Sequence, residues 1–155
     1  MKRWLWCIAA LVLAVSLGGM PFTGTDIASL QPVEVLRIQM EGQQILVEMD
    51  TGDRGSGESL EAAFTDLKKS TPGEVFLETA DYLLINDDAK ALLEQLGEYL
   101  RPACSVCIED GIAELESVAS FLTAHEPGLT LQEYRAGDRA LQHLITREGR
   151  MYLVS

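Results

Sequence analysis

Cys104-Ser105-Val106-Cys107 is the spacing in this chain that most invites a chemical role. A C-x-x-C in an exported protein serves as a redox-active disulfide or as half of a metal site. Redox pairs of this spacing work at a helix N-terminus, where the dipole stabilises a thiolate. Here the pair falls in an apolar run, 103–108, that reads as a strand. Residues i and i+3 of a strand point to opposite faces and lie about 10 Å apart along the chain. A disulfide needs Cα atoms within about 7 Å. A regular strand therefore makes Cys104 and Cys107 small buried members of a core, whereas a local turn would let them bond. Cys7 sits within an N-terminal apolar run, and neither His125 nor His143 stands at metal-ligand spacing from the pair.

Thr51-Gly52-Asp53-Arg54-Gly55-Ser56-Gly57 precedes a helix, the place from which a glycine loop cradles phosphate. It lacks the Lys-Ser/Thr end of a P-loop, and its glycines do not make the G-x-G-x-x-G spacing. Glu58 also puts negative charge where a phosphate would sit. A plain strand-to-helix loop is expected. His125 follows a helix and His143 falls in or near a strand, with no Ser or Cys nucleophile paired to either by a motif. The 24 acidic residues are scattered. No catalytic, cofactor-binding or metal-ligating residue is assigned, and no cofactor is expected.

The elements that would position these residues read as follows. Residues 33–40 alternate as a strand, Glu41-Gly42 turns, and Ile45, Val47 and Met49 continue as the second strand of a hairpin. Residues 58–69 form a helix with Leu60, Ala63, Phe64 and Leu67 on one face. Strands follow at 74–77 and 81–85, the second apolar throughout, as suits a strand covered on both sides. Asn86 caps a helix to about Leu100, ended by Pro102. A strand over 103–108 leads to a third helix, 112–123, facing inward with Ile112, Leu115, Ala119 and Leu122. Residues 129–134 read as a strand, and 142–146 with 150–154 as a closing hairpin. The fold class is therefore α/β (α+β). It combines a mixed sheet with an N-terminal hairpin, a parallel βαβ core and about three packed helices.

Lys2 and Arg3 precede an apolar run from Trp4 to Leu17. That length suits the h-region of a signal peptide cleaved after Gly18 better than a membrane span, although an anchor running to Phe22 is the alternative. Residues 1–20 are thus a signal peptide or anchor, 21–32 a linker and 33–155 one extracytoplasmic domain. The net charge of −12 becomes about −14 without Lys2 and Arg3. Such a surface repels nucleic acid and anionic headgroups, so membrane association is expected only through the N-terminal segment.

The stretch from Gly55 to about Leu115 resembles the N-terminal domain of spore-germination receptor C subunits, the GerAC-type lipoproteins. Gly55-Ser56-Gly57-Glu58-Ser59-Leu60-Glu61-Ala62-Ala63 resembles their glycine element before a helix. Val75-Phe76-Leu77, Tyr82-Leu83-Leu84-Ile85-Asn86-Asp87-Asp88, Arg101, 104–108 and 112–118 follow the family's order. Thr79 stands where a His is usual, and the lipobox Cys has no counterpart. The resemblance implies the fold, an extracytoplasmic place and a spore-forming bacterium. The expected function is a non-enzymatic module docking on an envelope or membrane protein. The alternatives are a thiol-disulfide or metal-binding protein using Cys104 and Cys107, and an exported hydrolase with no visible motif.

Overall fold

The computed structural model describes residues 30–111, 113–137 and 140–155. The expected targeting segment, Cys7, most of the linker and Ile112 lie outside these residues. The elements run β1 (Leu30–Pro32), β2 (Val35–Glu41), β3 (Gln44–Met49), β4 (Arg54–Gly57), α1 (Leu60–Ser70), β5 (Glu74–Phe76) and β6 (Tyr82–Ile85). A 3-10 helix, Asp87–Leu92, runs into α2 (Leu93–Leu96), followed by β7 (Ser105–Asp110), α3 (Leu115–Ala124) and α4 (Leu131–Ala136). A hairpin of β8 (Gln142–Arg147) and β9 (Arg150–Val154) closes the fold.

Seven strands form one mixed sheet in the order β4-β3-β2-β6-β7-β8-β9. The four central strands, β2, β6, β7 and β8, pair in parallel, and β3, β4 and β9 are antiparallel additions at the two ends. Alternation along β2 explains the two-sided core. Leu36 and Ile38 face one side with Ile45, Val47, Leu83, Ile85, Val106 and Ile108, beneath α1 and α2. Val35 faces the other with Leu84, Cys107 and Leu144, beneath Leu115, Val118 and Leu122 of α3. The all-apolar Tyr82–Ile85 is buried along its length because helices cover both its faces.

The caps explain where the helices begin. Ser59 Oγ accepts from the Ala62 N–H at 3.2 Å, ahead of α1, whose buried face is Leu60, Ala63, Phe64 and Leu67. Asn86 caps the 3-10 helix through Ala89 N–H at 3.1 Å. Its amide also bonds both the N–H and the C=O of Met40 at 3.0 Å, tying that helix start to the end of β2.

Four local expectations are corrected. The glycine loop is partly a strand: Arg54–Gly57 pairs with β3. Its glycines serve helix packing, since a Cβ on Gly55 would lie 2.4 Å from Ala63 O and Leu67 N, and one on Gly57 would lie 2.6 Å from Ala63 N. Residues 129–134 are not a strand: Leu131–Ala136 is helical. Thr130 and Glu133 form a reciprocal capping box there, and Gly137 ends the helix at φ 82°. The helix after Asn86 is mostly 3-10. The last residues of the expected linker, Leu30–Pro32, pair in parallel with β5 in a separate two-stranded sheet.

Candidate interaction surface

The residues that first invited a chemical reading are held apart. Cys104 and Cys107 are both free and fully buried, Cys104 in the core beneath α1 and α2 and Cys107 in the core beneath α3. Burial pushes each thiol up to about 12, against a slight lowering of Cys104 by Arg101 and a further rise of Cys107 from Glu109. Such thiols are poor nucleophiles and poor metal ligands at neutral pH. His125 stacks on Phe121 with ring centroids 4.5 Å apart, and its Nδ1 meets Phe121 O at 3.2 Å, so it finishes α3. His143 pairs through Nδ1 with Asp110 Oδ2 at 2.9 Å. Among the described residues no group of three His, Cys, Asp or Glu side chains is placed to hold a metal.

A chain of charge crosses the sheet beside α3. Arg37 is buried, and its Nε and Nη2 reach Glu109 Oε2 and Oε1 at 2.7 and 2.8 Å. Its Nη1 donates to Glu48 Oε2 at 2.8 Å, and Glu48 Oε1 accepts from Arg54 Nε at 2.8 Å. Nη2 also donates to Ala113 O, and Glu109 Oε1 accepts from Ala113 N–H at 3.2 Å. Among the described residues no buried side-chain polar atom of this ladder is left without a partner. The ladder joins β2, β3, β4, β7 and the approach to α3, which is a structural task.

The two edges of the sheet differ. On β4 the outward Ser56 N–H is taken by Asp66 Oδ2 at 2.9 Å, and Arg54 O accepts from Ser70 Oγ at 2.7 Å. Side chains of α1 thus close that edge. On β9 the turn residues Glu148 and Gly149 have φ of 51° and 73°, the two-residue primed turn that puts Arg147 and Arg150 in a hydrogen-bonded pair. Alternation then aims the N–H and C=O of Met151 and Leu153 away from β8. None of these groups has a hydrogen-bond partner among the described residues. The strand has no proline, glycine or bulge to blunt it.

Register also sorts the hairpin's side chains. Leu144, Met151 and Leu153 turn toward α3 and join its core. His143, Ile145, Arg147, Arg150, Tyr152 and Val154 share the opposite face, on which His143 and Ile145 are half-buried and the other four are exposed. Tyr152 and Val154 are each 46% exposed, and with Ile145, Arg147 and Glu148 they line an open depression of about 470 Å³. Arg37, Arg54, Arg101 and Arg135 each sit in an ion pair. Arg147 and Arg150 have no carboxylate partner among the described residues. In a chain with twice as many acidic as basic residues, two such arginines beside exposed apolar groups form a distinct surface.

The sequence points to this hairpin but not to its surface, because nothing in Arg147-Glu148-Gly149-Arg150 shows that the arginines lack partners. Among the described residues no helix is long and apolar enough to cross a membrane. Comparison with protein-family models, with curated proteins and with solved structures finds no match.

Proposed function

We propose that this chain is a non-enzymatic extracytoplasmic interaction module that docks on another envelope protein through its β8–β9 end. The observation that carries the reading is the β9 edge beside Ile145, Tyr152 and Val154, open among the described residues, where Arg147 and Arg150 have no carboxylate partner. The apolar run from Trp4 to Leu17 behind Lys2 and Arg3 supports export or tethering. The resemblance to the first domain of germination-receptor C subunits supports an envelope partner and a spore-forming host. Buried thiols with a pKa of about 12 give no support to thiol-disulfide exchange.

Fractionation of the native cell followed by lysine-directed crosslinking tests the reading. The expected result is a chain outside the cytoplasm, recovered with one specific envelope protein. Recovery of the chain always alone, or in the cytoplasm with residues 1–20 intact, would overturn it.

A further inference from the structure

We infer that β9 accepts an extended acidic segment of a partner protein as an eighth strand of the sheet. The inference rests on the interaction-module reading and adds the partner's conformation and charge. Strand addition satisfies the outward N–H and C=O groups of Met151 and Leu153, which a helical or globular face could not match in register. The side chains then set the pattern. A partner residue beside Arg150 meets two guanidinium groups, because Arg147 stands opposite Arg150 on the same face. A carboxylate fits there. Partner residues beside Tyr152 and Val154 meet exposed apolar area, and those on the reverse face adjoin half-buried Met151 and Leu153. The preferred ligand is therefore a strand with apolar residues on both faces and carboxylates at the end that meets the hairpin turn.

Other occupants fit less well. A second copy pairing β9 with β9 brings its own Arg147 and Arg150 to the same seam. A second copy offering β4 is blocked, since Asp66 and Ser70 already hold that edge. A lipid headgroup supplies phosphate but no backbone to pair with Met151 and Leu153.

The test is site-directed photo-crosslinking of the full chain in its native envelope, with p-benzoylphenylalanine replacing Tyr152. The expected product is an adduct to another protein, mapped by mass spectrometry to an acidic segment with alternating apolar residues. Arg147→Glu with Arg150→Glu should lower its yield at least about tenfold, because like charges then face each other. Arg147→Lys with Arg150→Lys should keep most of it. Met151→Pro should abolish it, because it removes an outward N–H while leaving the ladder to β8 intact. Leu153→Pro serves the same purpose if the first proline unfolds the hairpin, as judged by circular dichroism. A protein adduct that survives both charge reversal and proline leaves the module reading standing and overturns strand addition. An adduct to a second copy, to residues 1–29 of the same chain or to lipid, or no adduct at all, also overturns it. Lysine-directed recovery of a partner decides the broader reading separately.

Discussion

Glu109→Ala should destabilise the domain by about 3 kcal/mol, the low end of the range for removing one member of a buried ion pair. The change strips Arg37 of its two bonds to Glu109, 2.7 and 2.8 Å long, and leaves a guanidinium that is 4% exposed. It also removes the acceptor of the Ala113 N–H. Arg37 keeps Glu48 Oε2 at 2.8 Å and the Ala113 carbonyl, which holds the cost near the low end. Loss of about 3 kcal/mol corresponds to a fall in Tm of roughly 10 °C for a domain of this size. Urea unfolding followed by circular dichroism measures the loss. Arg37→Met with Glu109→Leu should recover most of it, because removing both charges removes the desolvation cost along with the attraction. Should Glu109→Ala cost less than about 1 kcal/mol, the pair is screened by solvent and its burial is misread. Should the double change cost more than Glu109→Ala alone, the ladder contributes net stability that this reasoning denies.

Three further outcomes are expected. Gly55→Ala should cost up to about 3 kcal/mol in urea unfolding, since its Cβ would overlap the α1 backbone, whereas Gly128→Ala, whose Cβ would lie 3.8 Å from Gln142, should be near neutral. Cys104 and Cys107 should resist alkylation in the native fold and react together on unfolding; a thiol of pKa about 12 is only about one part in ten thousand ionised at pH 8. Asp50→Asn should stabilise the fold most at neutral pH. Burial raises the Asp50 pKa, its Oδ1 is buried without a partner among the described residues, and the penalty on the charged form is therefore present above the folded pKa. That penalty is relieved as pH falls through the folded pKa, so the gain measured by denaturation should shrink toward acid, and a gain that grows there would contradict the assignment.

The sheet was legible where period and punctuation agreed. Alternation fixed the face of Leu36 and Ile38, the continuous Tyr82–Ile85 run implied cover on both sides, and the chain's closing hairpin followed from a turn at Arg147-Glu148-Gly149. Most of what was missed depends on a distant neighbour, and one element was missed through an overlooked local signal. Gly55 and Gly57 look like loop residues, yet they are glycines because α1 presses on β4. Leu129–Tyr134 looks like a strand by composition, although Thr130 and Glu133 stand at capping-box spacing and carried the correct answer. Arg37 and Glu109 lie 72 residues apart, so no spacing rule pairs them. The candidate surface was the least legible feature. Its identity depends on which arginines lack carboxylates and which edge lacks a side-chain cover, and both are properties of the assembled sheet.

Amide hydrogen exchange of the full chain, alone and then bound to its captured partner, tests the open-edge claim most directly. In the free chain Met151 and Leu153 should exchange fast while Ser56, bonded to Asp66 at 2.9 Å, is protected at the opposite edge. On binding, Met151 and Leu153 should become protected and Ser56 should not change. Slow exchange at Met151 and Leu153 in the free chain, or no change there on binding, would contradict the account.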